Sequence, residues 1–181
     1  MVRPRDGQRQ KVYDAERGWH DSQMELNPSD NLKTPGRTFS YAKMVWASPW
    51  TRKQFPVETR QALNLGMKRK TARCSSARRC HIRFGYDAWH MTKYVVLHEM
   101  AHAVCNYRES YQCAGHGREF VRRYLSLVQH FLGVESAKAL RAAFREQNVK
   151  WYKSRGPMSP ELREAAARRL AEAREQCHTS R

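Results

Sequence analysis

Two histidines and a glutamate lie within five consecutive residues, His98-Glu99-Met100-Ala101-His102, which have the pattern H-E-x-x-H. Apolar residues recur at helical spacing around them and predict a buried helix over Ala88–Tyr107. Histidines four residues apart lie on the same face of a helix, so both imidazoles can bind one tetrahedral Zn²⁺. Glu99 is then placed to act as the general base on a zinc-bound water. The alternative is a pair of core histidines, whose burial without partners costs several kcal/mol.

A catalytic zinc site needs a third protein ligand and an open fourth position. The next histidine after the motif is His116, within Gly115-His116-Gly117, and thirteen residues separate it from His102. That length lets the chain leave the helix, turn and return, and the flanking glycines allow a close approach of the backbone. Glu119 is the other candidate, but we favour His116 because it completes a three-histidine set.

The remaining histidines are weaker candidates. His130 lies roughly 21 Å from His116 along a predicted helix at 1.5 Å per residue, too far to share the ion. His81 and His90 precede the motif helix and are expected to be supporting or surface residues. His20 and His178 lie in polar segments and are expected to be solvated.

The segments HEMAHA and GHGREF together resemble the core of SprT-like (Spartan-type) zinc metallopeptidases. With RDGQRQKVYDAE, HIRF and VVLHEMAH, the sequence is more similar still to a family of metallohydrolases from actinobacteria and their phages; this resemblance covers roughly residues 5–135. It implies Zn²⁺ as cofactor, three metal ligands (His98, His102 and His116) and Glu99 as the catalytic glutamate. It also implies a minimal zincin fold, in which the active helix packs on a small sheet. The four-cysteine zinc ribbon of some SprT proteins has no counterpart in this sequence.

The elements around the motif predict an α+β domain. The pattern predicts a helix at Gln8–Trp19, a turn-rich segment at Asn27–Gly36, a strand at Thr38–Ala47, a short helix within Pro49–Gly66 that begins after Pro56, a strand at Cys80–Gly85, and helices at His116–Leu132, Glu135–Asn148 and Ser159–Gln176. Strands followed by helices are typical of a small α+β domain. We therefore expect a zincin-like metallohydrolase domain over residues 1–155 and a charged, basic helical tail over 156–181.

Positive charge is concentrated immediately before the motif helix. The chain has 34 Lys and Arg against 17 Asp and Glu, a net charge of +17, and Met67–Arg83 contains no acidic residue. The candidate nucleic-acid-binding residues are Lys68, Arg69, Lys70, Arg73, Arg78 and Arg79. One interpretation is a non-specific nucleic-acid path, with phosphate contacts from these residues. The other is a solvated basic loop, with the aromatic residues just beyond it (Phe84, Tyr86 and Trp89) in the core.

Composition narrows the class of protein further. No run of about 18 apolar residues occurs, so no transmembrane helix and no membrane partner are expected. The first residues contain no apolar signal region, and five cysteines without a C-x-x-C indicate thiols in a reducing compartment. Cys74 and Cys80 have no common zinc-ribbon spacing. These features predict a cytoplasmic protein, or one of the host cytoplasm if a phage encodes it.

Two functions remain from different classes. The first is a zinc-dependent hydrolase, with a metallopeptidase acting on protein or peptide substrates as the favoured form. The second is a nucleic-acid-binding protein whose zinc site is structural or inactive. Three histidines with an adjacent glutamate favour the enzyme, because structural zinc sites normally have four protein ligands.

Overall fold

The computed structural model describes residues 6–68, 73–75, 81–105 and 115–151. Six helices occur in these ranges: α1 (Arg9–Leu26), α2 (Pro35–Ala47), α3 (Pro49–Gln54), α4 (Lys93–Cys105), α5 (Arg118–Phe131) and α6 (Val134–Glu146). Three strands occur in the same ranges: β1 (Asn64–Met67), β2 (Arg73–Ser75) and β3 (His81–Phe84). Short 3-10 turns lie at Pro28–Asp30, Glu58–Arg60 and Ala88–His90.

The strands form a mixed sheet with β3 in the centre, in the order β1-β3-β2. β1 runs parallel to β3 with Leu65 opposite Ile82, and β2 runs antiparallel with Cys74 opposite the same residue. On β3, Ile82 and Phe84 are fully buried, whereas His81 and Arg83 alternate with them and are more accessible. This alternation is typical of a sheet with one face on the core, and it confirms the predicted α+β class.

Helix α4 carries the H-E-x-x-H motif through the centre of the core. Most of its residues are buried, from Tyr94 to Cys105, as expected for a helix that is apolar on most sides. It packs against α2, α5 and the strands β2 and β3, while α6 packs on α1 and α5. The imidazoles and carboxylate of the motif therefore project from the most deeply buried helix of the described structure.

The predicted strand at Thr38–Ala47 is wrong, since this segment belongs to helix α2. The Thr34 side chain accepts a hydrogen bond from the backbone N–H of Arg37, and Pro35 occupies the first helical turn. A capping threonine followed by proline is a helix-start signal. The buried residues of α2 recur at helical spacing, namely Thr38, Ala42, Val45 and Trp46. Capping and burial together outweigh the strand preference of the aromatic and β-branched residues.

Other predicted elements are found with shifted limits. The helices at Gln8–Trp19, Ala88–Tyr107, His116–Leu132 and Glu135–Asn148 correspond to α1, α4, α5 and α6, and the strand at Cys80–Gly85 corresponds to β3. Helix α3 begins at Pro49 rather than after Pro56, and strands β1 and β2 were not predicted. The helix at Ser159–Gln176 lies outside the described residues. The division at residue 155 stays a prediction.

Among the described residues, the helices are too short or too polar to cross a lipid bilayer.

Candidate metal centre

Three histidines meet at one point in the core. His98 and His102 project from successive turns of α4, and His116 lies in the turn directly before α5. Their ligand nitrogens all lie within 4.8 Å of one another, and Nε2 of His102 is 3.2 Å from Nε2 of His116. His98 and His116 are only 6% and 5% exposed. The three side chains could hold one metal ion between them.

Glu99 lies beside this group on the same helix. It is 5% exposed, and its negative charge contributes to raising the pKa of both His98 and Tyr13. The motif glutamate is therefore close enough to His98 for its charge to affect that imidazole.

A buried carboxylate of α1 supports His98 from behind. Nδ1 of His98 lies 2.6 Å from Oε1 of Glu16. Because an ionised carboxylate only accepts hydrogen bonds, the proton of the His98 ring is assigned to Nδ1. Nε2 is then left with its lone pair for a metal, the usual arrangement of a carboxylate–histidine–metal triad.

A second carboxylate supports His116 in the same way. Oδ2 of Asp6 lies 2.8 Å from Nδ1 of His116 and accepts the backbone N–H of the same residue at 3.2 Å. A Cβ at Gly115 would lie 2.9 Å from this Asp6 oxygen. Glycine at position 115 thus leaves room for the carboxylate against the His116 peptide.

Gln8 holds the other side of the His116 peptide. Its side-chain amide donates to the carbonyl of His116 at 2.7 Å and to the carbonyl of Lys150 at 3.1 Å. The backbone N–H of Lys150 donates back to Oε1 of Gln8 at 2.9 Å. Asp6 and Gln8, just before α1, therefore hold the ring and the backbone of His116.

Burial and mutual repulsion set the protonation of the group. Burial, then the neighbouring His98 and His116 and the charge of Arg9, hold the pKa of His102 well below its ordinary value. Burial and His98 lower the pKa of His116, although Asp6 opposes them. Burial also disfavours a charge on His98, but Glu16 outweighs it and the pKa of His98 is raised. His102 and His116 are thus neutral at neutral pH, the form that binds metals.

Aromatic rings flank the three imidazoles. The Phe120 ring, from α5, contacts all three, with its centroid 4.3 Å from that of His102. The Tyr13 ring, from α1, has its centroid 5.9 Å from that of His98 and 4.9 Å from that of His116. Apolar ring surfaces around the ligands exclude water and favour neutral imidazole nitrogens.

Glu119, the rival third ligand, is occupied elsewhere. Its Oε1 accepts a hydrogen bond from Nε of Arg123 at 2.8 Å. Arg123 also bonds to Glu58 at 2.9 Å and to the carbonyl of Val104. Among the described residues, the group able to hold a metal contains His116 and not Glu119.

The expectation that His20 is solvated is wrong. His20 is 4% exposed, its Nε2 lies 3.2 Å from the Thr92 hydroxyl, and its ring centroid lies 5.0 Å from that of Trp89. Position 20 lies on the buried face of α1 with Glu16, so helix geometry overrides the polar composition of the segment. His130 stacks on Trp50 at 4.3 Å.

Of the remaining histidines, those in the described part of the chain do not join the metal group. His81 and His90 are half-buried and do not belong to it. His178 lies outside the described residues.

The basic stretch is described only in part. Lys68 follows β1, and the backbone of Arg73 lies in β2. The other candidate nucleic-acid-binding residues, Arg69, Lys70, Arg78 and Arg79, lie outside the described residues.

Of the three aromatic residues beyond the stretch, Phe84 is buried as expected. Tyr86 is 56% exposed and Trp89 is 44% exposed, so the expectation of core positions is wrong for both. Two exposed rings a few residues past a basic stretch are compatible with stacking on bases.

Asp6, Tyr13 and Glu16 were not singled out from the sequence. All three lie within or beside the segment RDGQRQKVYDAE, which contributed to the family resemblance. Arg9, Tyr13 and Glu16 are spaced four and then three residues apart, which places all three along one side of α1. This series of polar residues, on the helix face that also buries Val12, is the signal by which the sequence could have indicated them.

An α+β domain with an H-E-x-x-H helix and a third histidine in the turn before the following helix has the features of a zincin-like domain. The model of the SprT-like family matches residues 42–139, more than half of the chain, including all three histidines and Glu99. The chain therefore belongs to the SprT-like family, which confirms that resemblance. A search of curated proteins found no significant match, and a search of solved structures found none either.

The matched range begins after α1. Asp6, Tyr13 and Glu16 therefore come from a part of the chain that the family match does not cover. The closer resemblance to metallohydrolases of actinobacteria and their phages stays a prediction.

Proposed function

We propose that this protein is a zinc-dependent metallopeptidase, with His98, His102 and His116 as metal ligands and Glu99 as general base. The observation that carries this proposal is the arrangement of the ring nitrogens. Nδ1 of His98 and Nδ1 of His116 face carboxylates, while the three histidines bring ligand nitrogens within 4.8 Å of one another. Because two of the imidazoles are held at Nδ1 by carboxylates, their other ring nitrogens are oriented for a cation.

The donor set fits zinc and a catalytic site. Three imidazoles suit Zn²⁺ among the common divalent ions. In the described ranges the group contains three histidines, with no carboxylate or cysteine as a fourth ligand, and catalytic zinc sites keep one position open. When bound here, Zn²⁺ would polarise a substrate carbonyl and lower the pKa of a water molecule.

Glu99 is the residue proposed to move protons. Its carboxylate accepts a proton from the attacking water and passes it to the leaving nitrogen of the cleaved amide. Its burial on α4 strengthens its electrostatic interactions and fixes its position beside His98. Family membership supports a protein or peptide as the substrate.

The test pairs metal content with turnover. The wild-type protein should bind zinc and cleave a denatured, fluorescently labelled casein. Glu99→Gln should keep the zinc and lose at least about 10²-fold in rate, because the amide cannot accept the proton. Glu25→Gln, at an exposed position on α1, is the matched control and should behave as wild type. Undiminished turnover by a zinc-loaded Glu99→Gln variant would exclude the proposed base.

We also propose that the stretch Met67–Arg83 contacts nucleic acid without sequence preference. Its charge supports phosphate contacts, and the exposure of Tyr86 and Trp89 supports stacking on unpaired bases. This contact would place the peptidase near nucleic-acid-bound proteins. If the zinc site is structural or inactive, nucleic-acid binding is the one activity that we propose for the protein.

A salt titration of binding to single-stranded DNA tests this second proposal. Each phosphate contact should contribute about −0.7 to the log–log slope of affinity against salt. Replacing Lys68, Arg69 and Lys70 with alanine should weaken binding to all sequences and make the slope shallower. Trp89→Ala should weaken binding at an unchanged slope, because stacking releases no counterions. Equal affinities and slopes for wild type and the triple variant would make the stretch a solvated loop.

A further inference from the structure

Tyr13 lies across two of the three candidate metal ligands. Its ring is stacked on His98 at an interplanar angle of 28° and meets His116 edge-on at 69°. It is only half-buried, so part of it remains accessible beside an otherwise buried group. Ring packing alone explains an aromatic residue at this position, but it does not require the hydroxyl of tyrosine.

The hydroxyl has two charged neighbours. Arg9, one helical turn earlier on α1, has its guanidinium 5.5 Å from the centroid of the Tyr13 ring. The negative charge of Glu99 also acts on the phenol. The Tyr13 ring therefore lies beside a cation, and the charge of the proposed general base acts on its phenol.

Arg9 extends this arrangement to His102. It is exposed, and its charge is among the causes that, after burial and the two other histidines, lower the pKa of His102. Tyr13 thus contacts His98 and His116, and Arg9 acts on His102. Between them, the ring of Tyr13 and the charge of Arg9 act on all three candidate ligands.

We propose that Tyr13 is a further catalytic residue, whose hydroxyl donates a hydrogen bond to the substrate carbonyl oxygen as negative charge develops there. This inference rests on the peptidase function proposed above. Arg9 is a positioning residue: it orients the phenol and adds positive potential. The phenolic O–H of a tyrosine is a hydrogen-bond donor. Donors aimed at developing charge lower the barrier more than they strengthen substrate binding.

The reaction balances without any further group. The water oxygen forms a bond to the carbonyl carbon, and the electron pair of the C=O bond moves onto the carbonyl oxygen that Tyr13 contacts. That pair returns as the C–N bond breaks, and the proton held by Glu99 goes to the leaving nitrogen. Tyr13 keeps its own proton throughout and is unchanged at the end.

Tyr13→Phe is the decisive variant, because it keeps the ring against His98 and His116 and removes only the hydroxyl. We expect kcat to fall about 10²-fold, the usual loss for one oxyanion donor, with KM and zinc affinity unchanged. Arg9→Gln should lower kcat less and in the same direction. Unchanged kcat in Tyr13→Phe would overturn the inference and leave Tyr13 as a packing residue.

Matched controls come from the same fold. Tyr41→Phe removes a buried hydroxyl that has no hydrogen-bond partner among the described residues. Arg17→Gln removes an exposed cation two turns along α1 from Arg9. Both should retain wild-type kcat. A fall in these controls equal to that in the test variants would also overturn the inference, since it would show a general loss of stability.

A second readout separates this inference from the proposed function. A phosphinic pseudopeptide carries a tetrahedral anion, and its binding to the zinc-loaded protein is measurable by calorimetry without turnover. Tyr13→Phe should weaken this binding by the same factor as it lowers kcat/KM. If the wild type cleaves no peptide, the peptidase proposal fails, and weaker phosphinate binding by Tyr13→Phe would still support the donor. Equal phosphinate affinities would reject the donor even if the wild type is an active peptidase.

Discussion

Glu16 and His98 are 82 residues apart in the chain, yet their side chains meet at 2.6 Å in the core. Both are buried, and a buried carboxylate–imidazole pair adds little net stability because desolvation offsets the attraction. The contact is better explained by its effect on His98, because the carboxylate orients the imidazole and raises its basicity as a metal ligand. Helix α1 therefore contributes a supporting residue to the candidate metal centre.

The first prediction concerns this pair. Glu16→Gln keeps an acceptor for His98 Nδ1–H but removes the negative charge, so zinc affinity should fall about 10- to 100-fold. Competition with a chromophoric chelator measures the affinity. Long-range ¹H–¹⁵N NMR of the zinc-loaded wild type should show the proton of His98 on Nδ1.

Glu25→Gln is the control for charge on the same helix, because position 25 is exposed. It should retain wild-type affinity. Equal zinc affinities in the two variants would reduce Glu16 to a packing residue.

The second prediction concerns Gly115. Alanine there would place a Cβ 2.9 Å from Oδ2 of Asp6, closer than a carboxylate oxygen tolerates. Asp6 must then shift and loosen its hydrogen bonds to His116, so Gly115→Ala should weaken zinc binding in the same chelator competition. The decrease should not exceed that of Asp6→Ala, which removes the carboxylate altogether.

Gly18→Ala is the control for this substitution. A Cβ at Gly18 meets nothing within 4 Å, and alanine in a helix interior is favoured by roughly 0.5–1 kcal/mol. Zinc affinity should therefore be unchanged and the free energy of unfolding slightly raised. Retained affinity in Gly115→Ala would mean that the carboxylate adapts without cost.

The third prediction concerns the end of α4. Arg123 donates to the Val104 carbonyl in the last turn of that helix and bridges to Glu58 and Glu119. Arg123→Ala leaves these acceptors without their shared donor and should lower the free energy of unfolding by about 1–3 kcal/mol. Urea denaturation of the metal-free protein measures it. Arg118→Ala, at an exposed position one turn earlier, should cost far less, and equal losses would contradict the proposed role.

The fourth prediction concerns pH. Burial lowers the pKa of His20 from its ordinary 6.5, against the smaller opposing effect of Asp21. As pH falls below about 6.5, the unfolded chain protonates His20 while the folded protein does not. The unfolded state then binds more protons, so His20 contributes a loss of stability with falling pH, down to its folded pKa.

Urea denaturation of the metal-free protein at about pH 7 and about pH 5 tests this linkage. The decrease in unfolding free energy should be smaller in His20→Gln than in wild type. His130→Gln, at an exposed position on α5, should retain the wild-type decrease. An unchanged pH dependence in His20→Gln would show that His20 is not responsible.

What the sequence predicted well is local. The spacing of His98 and His102 on one helix face needs no tertiary information, and the apolar stripe of α4 is visible over a few turns. Strands β1 and β2 are only four and three residues long, and their pairing with β3 creates them. The wrong strand prediction at Thr38–Ala47 has a different cause. The helix-start signal at Thr34 and Pro35 is local, but the strand propensity of the following residues outweighed it in the prediction.

The carboxylates behind the histidines required the fold. Asp6 is separated from His116 by 110 residues and Glu16 from His98 by 82, and no spacing rule pairs groups so far apart. The chain has 17 acidic residues, and sequence alone does not tell which of them face imidazoles. Packing of α1 against the rest of the helical layer decides it.

The double hydrogen bond of Gln8 gives the metal centre a distant reporter. Gln8 binds the carbonyl of His116 and both backbone groups of Lys150, so the turn carrying the third histidine and the residues after α6 open together. Ligand binding to the folded state suppresses such opening. Loading the histidines with zinc should therefore slow deuterium exchange at the Lys150 amide. The exchange rate of this amide, which binds no metal, would then report whether the turn that carries His116 is open or closed.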